Sequence, residues 1–175
     1  MSESASPIGG AEDHLSHKPD IDSLVAALAS HDRVTRQTAR ATLVGLGHPA
    51  VAPTIPLLND RNDHVRWEAA KTLAEIGDPA AAEALVKTLE DRDAGIRWLA
   101  ATGLIHMRRA GLQPLLHALI EQADSPWLRE GAHHILHDLT KMGLAEGMEQ
   151  VLAALEGIEP AATVPAAARR ALDTL

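Results

Sequence analysis

The chain has 175 residues, of which 46% are hydrophobic, and it carries a formal charge of −8 from 24 acidic and 16 basic side chains. A field of that sign repels phosphates, so we expect no nucleic-acid partner and no insertion into an anionic membrane. The sequence has no cysteine, which excludes disulfides and thiolate chemistry. Phe and Tyr are also absent and Trp occurs only three times, whereas Ala and Leu dominate. This balance predicts an all-α protein.

The first segment, residues 1–18, shows no hydrophobic periodicity and is predicted to be a flexible tail. It lacks the basic and apolar regions of a secretory signal, and no run in the chain approaches the apolar length of a membrane span. We therefore expect a cytoplasmic protein in which residues 19–175 form one repeat domain.

The remainder of the chain alternates between two kinds of amphipathic stretch. The first kind, called helix A, is predicted at residues 20–30, 50–59, 80–90, 111–122 and 144–156. Asp20 is the predicted N-cap of the first of these helices. Gly47 and Gly77, each followed two residues later by Pro, mark the junctions between successive units. Pro56 should kink or shorten the second helix A.

The second kind of stretch, called helix B, repeats in aligned columns. An Arg column with spacings of 30, 31 and 32 residues contains Arg36, Arg66, Arg97 and Arg129. Three residues later comes an Ala column, which contains Ala39, Ala69, Ala100 and Ala132. Four residues further comes a Leu column, which contains Leu43, Leu73, Leu104 and Leu136. These intervals place the Ala and Leu columns on one helix face, where the small Ala allows two helices to approach closely.

A fifth unit follows the four aligned ones. Its helix B is predicted at residues 163–175, with Thr163 as N-cap and Pro165 in place of the Arg. Its core columns are predicted to contain Val164, Ala168, Leu172 and Leu175. The predicted repeats therefore span about 20–48, 49–79, 80–109, 110–141 and 142–175.

The segment VRWEAAKTLAEIGDPAA, which begins at Val65, and the pattern D-x5-R resemble the short HEAT-like repeats of the phycobilisome-lyase type. The resemblance covers residues 20–175. It implies a right-handed α-solenoid of about five two-helix repeats, with helix A on the convex side and helix B lining the concave side. The class implies little about function, although it leaves open a maturation or chromophore-lyase-type accessory role.

The Arg column has a structural interpretation. Asp60 precedes Arg66 by six residues, and Asp91 precedes Arg97 by six. This spacing predicts a ladder of Asp–Arg contacts that joins the loop of one repeat to the helix of its neighbour. We therefore assign these residues to the scaffold and not to a ligand.

The outward face of helix B carries the predicted partner-binding surface. Trp67 and Trp98 share one column, two residues before the Ala and one repeat apart, and Trp is enriched at binding hot spots. The other residues predicted to bind a partner on this concave face are Gln37, His64, Lys71, Thr102, His106, Glu130 and His134. The alternative interpretation is that neighbouring helices bury both rings, as large Trp rings usually are.

The fourth repeat contains the segment GAHHILHD, the densest group of titratable residues in the chain. The candidate metal ligands here are Glu130, His134, His137 and Asp138. HHILH lacks the catalytic Glu of the zinc motif HExxH, and the His-Glu pairs of the iron hydroxylases built on HEAT repeats are absent. The preferred interpretation is therefore a solvated helix face without a metal, with a metal-dependent enzyme as the alternative.

Other enzyme signatures are missing as well. The sequence has no G-x-S-x-G, no P-loop and no Rossmann glycine pattern, and we expect no cofactor. The sequence thus predicts a non-catalytic scaffold that binds a partner protein or a larger complex through its helix-B surface.

Overall fold

The computed structural model describes residues 20–175, and the tail predicted at residues 1–18 lies outside them. Within 20–175 the regular structure is entirely helical. The α-helices are α1 (Ile21–Ala27), α2 (Arg33–Leu46), α3 (His48–Thr54), α4 (Asp63–Ile76), α5 (Ala82–Thr88), α6 (Ala94–His106), α7 (Leu112–Glu121), α8 (Pro126–Lys141), α9 (Glu149–Leu155) and α10 (Pro160–Leu172). None of these described helices is both long and apolar enough to cross a bilayer.

The helices pair into five two-helix units, in which the odd-numbered helix is helix A and the even-numbered helix is helix B. In the first four units the B helices α2, α4, α6 and α8 pack against one another in chain order, with the A helices beside them. Each unit contacts its immediate neighbours, which is the arrangement of an α-solenoid. The predicted fold class is confirmed.

The Ala and Leu columns form the core of this stack. Every Leu of the column is fully buried, and the Ala side chains are at most 2% exposed. Gly103 shows how closely the helices approach. A Cβ atom added there would lie 2.7 Å from Cδ1 of Leu85 and 3.0 Å from the Cα of Ala74. A larger residue at this point would therefore force α6 away from α4 and α5.

Helix boundaries follow from capping residues. The side chains that accept hydrogen bonds from the first backbone N–H groups of α2, α4, α6 and α8 belong to Asp32, Asn62, Asp93 and Ser125. Asp20 caps α1 in the same way, as predicted. Gly77 ends α4 with a φ of 66°, in the left-handed conformation that glycine adopts without steric cost.

Pro56 shortens the second helix A, as predicted. The α-helix α3 ends at Thr54, and the chain continues as a 3-10 helix over Ile55–Asn59. A proline has no N–H to donate to the carbonyl four residues earlier, so the α-helical pattern cannot continue through it. Two further 3-10 turns, at Pro79–Ala81 and Arg108–Gly111, precede the helices A of the third and fourth units.

The fifth unit packs differently from the others. Here α10 packs on α7, a helix A, while α9 lies beside α8. Two predictions for this unit were wrong. Thr163 is not the N-cap, because α10 begins at Pro160, whose fixed φ suits the first helical position. Leu175 is 47% exposed instead of lying in the core, because α10 ends at Leu172.

Candidate functional site

The B helices α4, α6 and α8 each present one Trp on their outward surface, called here the B-helix surface. Trp67 is half-buried and packs against the core. Trp98 is 59% exposed and Trp127 is 42% exposed. The two predicted aromatic residues therefore differ: Trp98 lies open to solvent, whereas much of Trp67 is covered.

Trp127 is a surface residue that the column analysis did not identify. It lies three residues before Glu130, which occupies in α8 the position that Trp98 occupies in α6. Residues three apart share a helix face, so Trp127 projects from the same surface as the Trp column. The three-residue spacing to Glu130 could have indicated that Trp127 belongs to this surface. The equivalent positions in earlier repeats, however, hold unrelated residues.

An open cleft of about 210 Å³ lies between α6 and α8. It is lined by Ala94, Arg97, Trp98, Ala101, Trp127, Glu130, Gly131 and His134. Three of the predicted partner-binding residues, Trp98, Glu130 and His134, therefore meet in one place. Gly131 packs tightly on the core side of α8, since a Cβ there would lie 3.0 Å from Cδ2 of the buried Leu89.

A second depression lies one repeat earlier on the same surface, between α4 and α6. It has a volume of about 300 Å³ and is lined by Asp63, His64, Trp67, Asp93 and Ile96. Trp67 and His64, both predicted to bind a partner, therefore belong to this depression and not to the α6–α8 cleft. The B-helix surface thus offers two adjacent recesses with a Trp in each.

Cationic side chains cover two of the three Trp rings. The Arg40 guanidinium carbon lies 6.0 Å from the ring centre of Trp67, and the Lys71 ammonium lies 5.9 Å from it. The Arg97 guanidinium carbon lies 4.8 Å from the ring centre of Trp127. Within residues 20–175, no Lys or Arg lies over Trp98. Cation–π contacts are therefore a regular feature of this surface, and Trp98 is the ring without one.

The Arg column makes one contact that is common to all four members. Each Nη1 donates to the backbone carbonyl six residues earlier, in the loop before its own helix, with acceptors on Ser30, Asp60, Asp91 and Ala123. These bonds pin each A–B loop to the start of helix B. The scaffold role predicted for this column rests first on these carbonyl contacts.

The predicted Asp–Arg ladder forms between the second and third repeats. Arg66 Nε lies 2.7 Å from Oδ2 of Asp91 and Nη2 lies 3.1 Å from Oδ1, in a bidentate pair whose side chains are each 8% exposed. Burial alone would raise the pKa of the Asp91 carboxyl. The hydrogen bonds from Arg66 and from the Asp93 N–H outweigh that effect, so the pKa lies below its usual value.

The ladder is missing between the third and fourth repeats. The loop position that holds Asp91 in one repeat holds Ala123 in the next. Among residues 20–175, no carboxylate lies within 4.0 Å of the Arg97 guanidinium. Arg97 keeps its carbonyl contact and lies over Trp127 instead. Arg97 therefore differs from Arg66 in lacking a carboxylate from the next loop, and its guanidinium lies on the B-helix surface.

Glu68, the residue after Trp67 on α4, is 3% exposed. Its Oε1 accepts a hydrogen bond from Arg36 Nε at 3.1 Å, and its other oxygen accepts one from Arg40. Two arginines of α2 thus reach across to one carboxylate of α4, and the charge is buried in a hydrogen-bonded group. Arg36 therefore pairs with the neighbouring helix and not with the neighbouring loop.

The four candidate metal ligands separate into two groups. Glu130 and His134 line the α6–α8 cleft. His137 lies 3.7 Å from Asp138, measured from Nδ1 to Oδ1, and stacks on His133 with ring centres 5.8 Å apart. His133 Nε2 in turn lies 3.0 Å from Oε1 of Glu156, the residue that follows α9. In the described part of the chain, no three His, Asp or Glu side chains are grouped as a metal ion requires.

The other predicted surface residues lie around the Trp rings without forming a compact set. Gln37 is exposed on α2, one repeat away from Trp67. Lys71 pairs with Glu75 at 3.1 Å, and the Thr102 hydroxyl donates to the Trp98 carbonyl at 2.9 Å. His106 ends α6, with Nδ1 3.2 Å from the carbonyl oxygen of Ala74.

A larger groove of about 750 Å³ lies on the other side of the stack, along α5 and the loops around the Arg66–Asp91 pair. Its charged lining includes both signs, with acidic residues such as Glu83 and basic residues such as Lys87 and Arg92. The Arg66–Asp91 pair at its base is already satisfied. Size alone does not make this groove the better site, because its lining offers no exposed aromatic anchor.

The stacked B helices and the repeated Arg and Ala columns together define an α-solenoid repeat protein. Residues 21–104 match the family of HEAT repeats. One chain in the complex of CpcE and CpcF of phycocyanin lyase from Nostoc sp. PCC7120 is similar at 26% identity and a TM-score of 0.55, over 87% of this chain and 97% of that chain. Residues 21–104 thus match HEAT repeats, and the fold is that of a HEAT-like α-solenoid.

An engineered protein is also similar, at 22% identity and a TM-score of 0.45, with 87% of this chain and 77% of that chain covered. A likeness at that level carries no further argument. No curated protein matches the chain.

Proposed function

We propose that this protein is a non-catalytic interaction module that binds a partner protein through its B-helix surface, with Trp98 at the centre. The observation that carries the proposal is the 59% exposure of Trp98 in a chain that contains only three aromatic residues of the Phe, Tyr and Trp types. A large aromatic ring in water is unfavourable unless a partner covers it, and Trp is the residue most enriched at binding hot spots.

The shape of the surface favours a protein over a small molecule. The α6–α8 cleft is open and has a volume of about 210 Å³, below the roughly 300–1,000 Å³ typical of small-molecule pockets. Together with the neighbouring recess at Trp67 it gives the B-helix surface two shallow depressions, which suit side chains of a partner protein. Rigid helices hold the Trp rings in place, so little conformational entropy is lost on binding.

Affinity capture from the native host tests the proposal. Trp98→Ala combined with Trp127→Ala should abolish recovery of a partner that the unchanged protein retains, while the helical circular dichroism stays the same. Ile158→Ala is the matched control, because Ile158 is fully exposed and lies in the α9–α10 loop, away from the B-helix surface. Equal recovery by all three proteins would contradict the proposal.

A second candidate is an accessory factor of the chromophore-lyase type. It is favoured by the similarity to the CpcE–CpcF complex of phycocyanin lyase, in which the matched chain is aligned over 97% of its length and itself has a protein partner. Under this candidate the captured partner carries a chromophore. Visible absorbance in the captured complex, lost with Trp98→Ala and Trp127→Ala, distinguishes it from a general scaffold, and a colourless complex contradicts it.

A further inference from the structure

The three Trp residues of the B-helix surface differ in their relation to cations. Trp67 has Arg40 and Lys71 over its ring, and Trp127 has Arg97 at 4.8 Å. Trp98, the most exposed of the three at 59%, has no Lys or Arg over it from residues 20–175. The face of an indole ring is negative and attracts a cation. Trp98 therefore offers an attractive site that this chain does not fill itself.

A carboxylate lies beside this ring. Glu130 lines the same cleft as Trp98, is exposed, and forms no ion pair with any residue in 20–175. Arg97 is the only Lys or Arg that lines the cleft. Its guanidinium already donates to the Asp91 carbonyl at 2.8 Å and stacks on Trp127, so its position is fixed at the side of the cleft. Glu130 is thus the charged group available to an incoming side chain.

The floor and size of the cleft fit a long side chain with an apolar stem. Ala94, Ala101 and Gly131 contribute little bulk to the lining, and the volume of about 210 Å³ suits one side chain. Lys and Arg bury their methylene groups against such surfaces while the charged end stays polar. The formal charge of −8 for the whole chain also favours a basic partner segment.

We infer that the cleft between α6 and α8 binds an Arg or Lys side chain of the partner protein, with the cation over Trp98 and its charge paired with Glu130. This inference rests on the proposed protein-binding function and specifies the chemistry of the bound segment. Arg is the better fit of the two, because its planar guanidinium stacks on an aromatic ring and pairs with a carboxylate in the same pose.

Matched peptides test the inference directly. One is a short acetylated and amidated Gly-Ser peptide that carries several arginines, and the other carries citrulline, a neutral residue of nearly the same shape, at the same positions. Every Trp lies on the B-helix surface and the chain has no Tyr, so the intrinsic fluorescence of the whole protein reports on this surface alone. The arginine peptide should bind at least about fivefold more tightly than the citrulline peptide.

Variants locate the effect. Glu130→Gln should weaken binding of the arginine peptide by about threefold, and Trp98→Leu should remove most of the difference between the two peptides. Glu146→Gln is the control for net charge, because Glu146 is exposed in the loop before α9 and lies outside the cleft. It should leave binding unchanged at moderate salt.

Three outcomes would overturn the inference: no binding of either peptide, equal affinity for both, or equal losses from Glu130→Gln and Glu146→Gln. The proposed function is tested separately by affinity capture. It fails if the unchanged protein and the variant that lacks Trp98 and Trp127 recover the same proteins. If capture of a partner depends on Trp98 but both peptides bind equally, the protein-binding function stands. The proposed binding of an Arg or Lys side chain in the cleft is then wrong.

Discussion

Two neighbouring interfaces in this stack use the same Arg column in different ways. Between the second and third repeats, Arg66 forms a bidentate pair with Asp91, and both side chains are almost fully buried. Between the third and fourth repeats, Ala123 replaces the aspartate, and Arg97 lies over Trp127. Both arginines keep the carbonyl contact six residues back. The loop residue that faces the arginine is Asp91 at the first interface, called here the closed interface, and Ala123 at the second, called here the open interface.

The comparison shows how a repeat protein keeps its scaffold while its surface changes. The carbonyl contact fixes each loop, and the Ala and Leu columns fix the helix spacing, so the loop aspartate is free to vary. Asp91 neutralises Arg66 within the scaffold. Ala123 cannot do the same for Arg97, which is part of the surface that we propose binds a partner.

The largest expected effect comes from removing the aspartate at the closed interface. Asp91→Ala leaves the Arg66 guanidinium buried without its carboxylate, and we expect a loss of about 3–5 kcal/mol in the free energy of unfolding. Urea denaturation followed by circular dichroism measures it. Asp124→Ala, at an exposed loop position of the next repeat, is the control and should change stability by less than about 0.5 kcal/mol. Similar values for the two variants would contradict the assigned role of the pair.

The two Trp residues of the predicted column should behave differently. Trp67 packs against the core, so Trp67→Ala should cost about 2 kcal/mol of stability. Trp98 is mostly exposed, so Trp98→Ala should cost less than about 0.5 kcal/mol while it removes partner binding. Thermal or urea unfolding measures the first effect and affinity capture the second. A large loss of stability with Trp98→Ala would show that the ring is part of the core.

Acid should weaken the Arg66–Asp91 pair of the closed interface. The pKa of Asp91 is lower in the folded protein than in the unfolded chain, so its contribution is complete above the unfolded pKa of about 3.9 and is lost as the pH falls through the folded value. Stability measured from pH 7 downward should therefore fall below about pH 4 in the unchanged protein. The fall should be smaller in Asp91→Asn, which has no carboxyl at this position to protonate. Identical pH profiles would contradict this assignment.

The smallest expected effect comes from converting the open interface to the closed type. Ala123→Asp should draw Arg97 away from Trp127 and raise stability by less than about 1 kcal/mol, since the desolvation of the two charges offsets most of the gain from the new ion pair. In a background of Trp67→Phe and Trp98→Phe, the fluorescence of Trp127 reports the movement. Ala123→Asn is the neutral control of the same size. The same spectrum for Asp and Asn would show that the arginine does not respond to the loop charge.

The scaffold could be predicted from the sequence because every column recurs at a nearly constant interval. Ala100 and Leu104, for example, are buried in the places where the spacing puts them. The burial of Glu68 could not be predicted in this way, because helix geometry alone describes one helix at a time. Its burial depends on two arginines from the preceding repeat, and a contact between repeats leaves no periodic signal in α4 itself.

The binding surface was predicted only in part, for a related reason. Trp98 was identified by its column, but Trp127 belongs to a column whose other members, Val34, His64 and Gly95, share no chemistry with it. The α6–α8 cleft forms only where two helices pack side by side, so the sequence pattern of either helix alone does not predict it. Likewise, the packing of α10 on α7 is a tertiary contact, and the apolar pattern of α10 does not say which neighbouring helix it will contact.

The exchanged packing of the fifth unit also has a consequence for how such a chain can lengthen. In the first four units each helix B packs on the previous helix B, so a duplicated unit inserted among them would find matching faces on both sides. A copy inserted between the fourth and fifth units would have to offer its helix A to α10. Gene duplication is therefore expected to extend this array from within and to leave α7, α8 and the terminal pair together as an inherited block.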